Sequence, residues 1–135
     1  MDRAEAEDYV YGSYLRAEGS LTYGDRDSVK RDPGPTRELL GSLSRTPCVC
    51  VTGSKGKGSV SVMVSRILQT EMDVGLMTSP HIIDFNERFR VNGECISDAD
   101  LVSCTERVKE LIDPIDSGLP DGRYISPMAI QAAVS

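Results

Sequence analysis

Near the start of the chain, Ala6, Val10 and Tyr14 recur at helical spacing and predict a short helix ahead of Gly19. Gly24–Arg31 is charged and reads as a loop, and Asp32-Pro33-Gly34-Pro35 reads as a turn by composition. Thr36 then stands where it can N-cap a short helix with Leu39, Leu40 and Leu43 on its apolar face. From Pro47 the period changes. Cys48–Thr52 is an apolar, β-branched-rich run that predicts a buried strand ending at Gly53. After a Gly/Lys cluster, Val60, Met63, Val64, Ile67 and Leu68 return to helical spacing. Val74–Thr78 is a second apolar run and predicts the next parallel strand, so the stretch reads as a right-handed βαβ unit.

Phe89–Ile96 alternates around Asn92-Gly93 and predicts a hairpin. Ser97 is placed to cap a helix with the stripe Leu101, Cys104, Val108, Leu111 and Ile112, which Pro114 is expected to end. Asp113–Arg123 is polar and reads as a loop, and helical spacing resumes over Ser126–Ser135. No segment repeats. Two or three parallel strands cannot cover both faces of a parallel sheet. The pattern therefore predicts the opening part of a larger α/β domain.

Composition narrows the classes. At 135 residues the chain is one small domain, with 15 Lys+Arg against 21 Asp+Glu and a net charge of −6. That balance argues against non-specific nucleic-acid binding and against a polybasic membrane anchor. No apolar run reaches bilayer-spanning length, and the acidic start MDRAEAEDYVYG lacks the apolar core of a secretory signal, so the expected compartment is the cytoplasm. With no Trp and 2 Phe, the core is expected to be built from Val, Ile, Leu and Met. Cys48, Cys50, Cys95 and Cys104 lack the paired spacing of a zinc site and read as reduced, mostly buried thiols.

The strongest chemical signal is Gly53-Ser54-Lys55-Gly56-Lys57-Gly58-Ser59, set between a predicted strand and a predicted helix. A triphosphate must be wrapped by backbone N–H groups, and glycines let the backbone approach its oxygens. The helix that follows presents its positive end. Lys57 can reach the β/γ-phosphates as a point charge, and Ser59 can place its hydroxyl on Mg²⁺. The spacing is G-x-x-G-K-G-S, shorter than the common G-x-x-x-x-G-K-[ST]. A flexible surface turn is the competing reading, and the flanking strand and helix weigh against it. Lys55 either touches phosphate or is a solvated loop lysine.

Val51–Val60 resembles the ATP loop of the folylpolyglutamate synthases and dihydrofolate synthases, members of the Mur ligase superfamily. The similarity continues through Thr78-Ser79-Pro80-His81, through Asp84–Gly93, and through Ile96-Ser97, covering roughly residues 37–112. This resemblance implies an α/β fold: a P-loop-type three-layer sandwich with a mostly parallel sheet. Residues 1–46 would form an N-terminal helical segment and 47–135 the beginning of the ATPase domain. It implies that ATP phosphorylates a folate carboxylate and that L-glutamate attacks the acyl phosphate, giving an amide. It places ATP on Gly53, Ser54, Lys55, Gly56, Lys57, Gly58 and Ser59, with Lys57 catalytic, and Mg²⁺ on Ser59 and Ser79. His81, Glu87 and Arg88 would lie beside the substrate, and alternation along a strand would put Arg88 and Arg90 on one face. A solvated hairpin face is the competing reading for these last residues.

Departures from the family pattern matter as well. Lys55 stands where bacterial bifunctional members carry Asn, and is closer to the polyglutamylating eukaryotic forms. Pro127-Met128-Ala129 stands where those bacterial members have a carboxylate-bearing run facing the pterin, which weakens a dihydropteroate acceptor. The family's second Mg²⁺ ligand, its metal-binding His and its glutamate-binding domain would fall past Ser135, so the chain alone is expected to be inactive. The alternative is a truncated or partner-dependent nucleotide-binding module with no ligase activity of its own. A kinase or GTPase fits the loop alone but not Thr78–His81.

Overall fold

The computed structural model describes residues 1–18, 33–43, 46–120 and 123–135. It divides into two units, one made of Met1–Ser44 and Val102–Val134, the other of Arg45–Leu101 with Ser135. The expected loop at residues 24–31 lies outside the described residues.

The first unit is helical. α1 (Arg3–Glu18) buries Ala6 and Val10 completely, as their spacing predicts. α2 (Gly34–Ser42) buries Pro35 and Leu39, but Leu40 on the expected apolar face stays about half exposed. Its start corrects the expected turn. Gly34 and Pro35 are helical, the cap is Pro33 with no side-chain hydrogen bond, and Thr36 lies inside the helix. Proline in the first turn brings a preset φ and lacks an N–H only where the helix has no acceptor for one. α4 (Asp98–Ser117) belongs to this unit from Val102 on, and its start, which lies in the second unit, is set where Ser97 Oγ accepts from the Asp100 N–H at 3.1 Å. Pro114 does not end it. Its ring and missing N–H cost the helix the bond to the Glu110 carbonyl, yet the helix runs on through Ser117, whose Oγ donates to the Asp113 carbonyl at 2.6 Å. The expected loop from Asp113 therefore starts only after Ser117. α5 (Pro127–Val134) is capped by Ser126 Oγ, which accepts from the Ala129 N–H at 3.1 Å. It packs on α1 and α2 and buries Ala129, Ile130 and Val134. With Val108, Ile112 and Ile125 these residues form an aliphatic core, each valine or isoleucine side chain contributing about 1.5–3 kcal/mol by burial.

The second unit holds α3 (Lys57–Leu68) and a three-stranded sheet, β1 (Gly75–Met77), β2 (Phe89–Val91) and β3 (Glu94–Cys95). Both pairings are antiparallel, with Leu76 opposite Arg90 and Val91 opposite Glu94. The hairpin falls where Asn92-Gly93 predicts it, with φ of 51° and 86° at its two central residues, the geometry a two-residue turn demands. Asn92 also ties the sheet to what precedes it. Its Oδ1 accepts from the Val74 N–H at 2.9 Å and its Nδ2 donates to Asp73 Oδ1 at 2.8 Å.

Two expectations fail here. Residues 74–78 pair antiparallel with β2, so no parallel βαβ ladder forms among the described residues. Cys48–Thr52 carries no strand, and Val49 is 67% exposed. A strand is defined by its ladder partners, and no described segment runs beside this one. The same lack of cover leaves Val60, Met63 and Ile67 of α3 exposed. Cys48, Cys50 and Cys95 are exposed and Cys104 half-buried, so the cysteines are not the buried thiols expected. The core of this unit is aromatic, around Phe85 and Phe89, with Leu101 also fully buried.

Candidate functional site

The glycine loop and the start of α3 form the first part of the site. Gly56 caps the helix at φ 76°, ψ 0°, a left-handed conformation that glycine adopts without a Cβ penalty. Its carbonyl accepts from the Val60 N–H at 3.0 Å, closing the first helical turn. The N–H groups of Lys57, Gly58 and Ser59 precede the first intrahelical donor and have no acceptor within the helix. No acidic residue occupies this first turn, so the helix carries no carboxylate of its own against its positive end. Lys57 Nζ donates back to the Gly53 carbonyl at 2.8 Å, which folds its ammonium over the loop. Ser54, Lys55 and Ser59 are exposed. The arrangement offers an anion several backbone donors and a point charge on one rim.

The second part is built on the segment from Ser79 to Arg88. Phe85–Arg88 forms a turn of 3₁₀ helix rather than strand, which corrects the expected alternation of Arg88 with Arg90. Asp84 and Glu87 form a reciprocal capping box around it, with the Asp84 carboxylate accepting from the Asn86 N–H at 2.9 Å. Glu87 gathers the preceding loop. Its carboxylate accepts from the N–H groups of Ile82 at 2.9 Å and of Ile83 and Asp84 at 3.1 Å. Arg88 is 6% exposed, not the solvated hairpin arginine of the competing reading. It donates from Nε to His81 Nδ1 at 2.7 Å and from Nη1 to Ser79 Oγ at 3.2 Å, over the Phe85 ring at 5.5 Å. The His81 ring meets Phe85 edge-on at 5.8 Å. Ser79, His81 and Arg88 are thus one hydrogen-bonded cluster, while Lys57 belongs to the loop.

The hydrogen bond from the Ile82 N–H, then that from Asp84, holds the Glu87 carboxyl below the usual glutamate range, with Ile83 and the charge of Arg90 adding to the effect. A carboxyl whose pKa is lowered on folding stabilises the fold above its unfolded value, about 4.3, and that contribution is lost as pH falls through the lower folded value. Replacing Glu87 by Gln is therefore expected to flatten the acid limb of stability. Thermal melts between pH 7 and pH 3 check this, and equal acid sensitivity in both proteins counts against it.

Among the described residues no cluster of three or more His, Cys, Asp or Glu side chains could hold an ion. Mg²⁺ keeps most of its water and needs only one or two protein oxygens beside phosphate. The Ser59 hydroxyl is open to such a role, and the Ser79 hydroxyl fits it with its remaining lone pair, since one already accepts from Arg88.

Three residues of this segment, which the sequence shows only as part of the motif Asp84–Gly93, have structural roles it did not assign. Asp84 is visible in principle as the first residue of a D-x-x-E capping signature. Asn86, 7% exposed, donates to the Ile96 carbonyl at 3.1 Å and to Asp98 Oδ1 at 2.8 Å, fastening the turn to the start of α4. Phe85 is the ring on which the cluster rests. Nothing local in the sequence marks either role.

No family model matches the chain. It is 34% identical over 103 residues to a dihydrofolate synthase/folylpolyglutamate synthase of Bacillus subtilis, a match that spans 73% of this chain and 23% of that protein. Among solved structures, the folylpolyglutamate synthase of Thermotoga maritima superposes with a TM-score of 0.73 at 27% identity, over 98% of this chain and 28% of the other. An FPGS–AMPPCP complex gives 0.71 at 25% identity, over 99% and 30%. The chain therefore has an α/β fold and spans less than a third of the length of each of these relatives.

Proposed function

This chain is related over most of its length to the folylpolyglutamate synthase/dihydrofolate synthase family, and on that premise we propose that it supplies the ATP-binding loop of a ligase that adds glutamate to a folate. The observation that carries the reading is the loop itself. A left-handed glycine opens a 12-residue helix with no acidic first turn, and a lysine is folded over the loop. A solved structural neighbour is a complex with AMPPCP, which supports a nucleotide as the ligand of that loop.

In this reading Gly53, Ser54, Lys55, Gly56, Gly58 and Ser59 line the phosphates, and Lys57 exchanges the Gly53 carbonyl for a phosphate oxygen. Its charge offsets the negative charge that the γ-phosphoryl group carries to the folate carboxylate. The acyl phosphate so formed is attacked by the amine of glutamate, with phosphate leaving and an amide remaining. Ser59 and Ser79 would hold Mg²⁺, which supplies charge neutralisation between phosphate oxygens when bound. The mostly parallel three-layer sandwich belongs, on this proposal, to a complete ATPase domain in which Cys48–Thr52 gains neighbours on both sides. The missing carboxylate at Pro127–Ala129 favours a folate acceptor over dihydropteroate.

The second reading is a nucleotide-binding module completed by a partner and without ligase activity of its own. It draws on the bare apolar face of α3 and the unpaired Cys48–Thr52. Titration of the chain with MgATP, followed by ADP release with a folate, glutamate and the remaining domains of a relative supplied in trans, separates the two. Amide formation supports the ligase reading. Binding without amide supports the module, and absence of MgATP binding sinks both.

A further inference from the structure

The bonds around Arg88 decide more than where the guanidinium rests. Its Nε always carries hydrogen, so at 2.7 Å His81 Nδ1 can only be the acceptor. A ring nitrogen that accepts carries no hydrogen. The imidazole proton therefore sits on Nε2, and Nε2 is the ring's one donor. The second arm of the fork, Nη1, is on Ser79 Oγ at 3.2 Å. Arginine is suited to this because its donors diverge in a fixed plane, and one ammonium could not serve both partners. Burial to 6% and the Phe85 ring at 5.5 Å keep the guanidinium from swinging into water. The same ring abuts His81 at 5.8 Å, so histidine and arginine are braced from one side by one aromatic. The loop that carries His81 is fixed in turn by the three N–H groups that converge on Glu87.

We propose that Arg88 is a positioning residue that sets His81 as an Nε2–H donor toward an oxygen of the phosphoryl group, beside the Ser79 hydroxyl. The inference rests on the ligase reading for the identity of the oxygen, and on the geometry alone for the tautomer. It assigns His81 the role of hydrogen-bond donor and excludes Nε2 as the base that takes a proton from the incoming amine. Glutamine at this position can place an amide N–H near the Nε2 site, whereas alanine cannot.

His81 is the only histidine in the chain, so its ¹⁵N and ¹³C side-chain resonances are read without assignment ambiguity. In the ligand-free protein the expected signal is one ring form with hydrogen on Nε2 and none on Nδ1. Arg88→Met, which keeps length and apolar bulk, is expected to give exchange between both tautomers. Arg88→Lys is expected to give the same while leaving the circular dichroism unchanged. Hydrogen on Nδ1 in the wild-type protein overturns the proposal without any variant, as does an unaltered ring signal in a folded Arg88→Lys. MgATP titration then reads the second half. His81→Ala is expected to weaken binding roughly tenfold and His81→Gln by clearly less, and equal losses overturn the donor role. Failure of MgATP to bind the wild-type chain counts against the ligase reading, whereas the tautomer is measured with no nucleotide present.

Discussion

Lys57→Ala is expected to weaken MgATP binding by roughly 10- to 150-fold, the effect of removing a charge-assisted hydrogen bond worth about 1.5–3 kcal/mol. Lys57 is the first residue of α3, exposed, and among the described residues its ammonium is bonded to the carbonyl of Gly53 in its own loop. Its removal therefore spares packing. The helix cap is the left-handed Gly56, and the bond from the Val60 N–H to the Gly56 carbonyl does not involve the lysine side chain. Helical content and the melting curve should stay at wild-type values. Isothermal titration of both proteins with MgATP, at matched salt because the term is electrostatic, is the direct measurement. Affinity within twofold of wild type would remove Lys57 from the site. In an intact ligase the same change is expected to lower kcat by more than it raises KM. The developing charge on the phosphoryl group is greater in the transition state than in the bound ground state.

Phe85→Ala should be the most damaging single substitution to the sheet-bearing unit, costing about 3–5 kcal/mol. Phe85 is 2% exposed and meets Phe89 edge-on at 5.7 Å, His81 at 5.8 Å and the Arg88 guanidinium at 5.5 Å. Truncation leaves a cavity among groups that cannot all collapse into it. Arg88 also loses the surface that shields it, and a buried cation admitted to water no longer holds its fork. The loss is a large share of the 5–15 kcal/mol that stabilises a typical domain. Urea denaturation followed by amide exchange of β1 and β2 reads it out. Phe85→Leu, which keeps most of the volume, is expected to recover more than half the loss. Retention of wild-type exchange protection by Phe85→Ala would show that this core is carried elsewhere.

The competing claims on Glu87 and Arg88 show what kind of information a sequence holds. From alternation alone, Arg88 reads as one more arginine on a hairpin face, and solvation is a fair expectation for it. A 3₁₀ turn at Phe85–Arg88 breaks the alternation and takes Arg88 inward. The capping box that makes the turn is local, three residues from Asp84 to Glu87, and so was within reach of the sequence. The destination of the guanidinium was not, because His81 and Ser79 lie seven and nine residues away across a bend.

Several signals that depend on near neighbours along the chain carried over into the structure, although the Thr36 cap and the Pro114 stop did not. Those that did include the helical spacing of Ala6 and Val10, the Asn92-Gly93 turn, the Ser97 cap, and a glycine loop opening on a helix. Each is fixed by backbone sterics or by a hydrogen bond spanning a few residues, and such terms do not wait for the rest of the fold. What depends on distant partners was decided only in three dimensions. Apolar runs at Cys48–Thr52 and Val74–Thr78 look equivalent in sequence. One finds β2 antiparallel beside it and becomes a strand, while the other finds no ladder and lies exposed. A run of β-branched residues specifies a willingness to pair. Pairing itself takes a second segment at the right distance and direction, and only the tertiary structure supplies that.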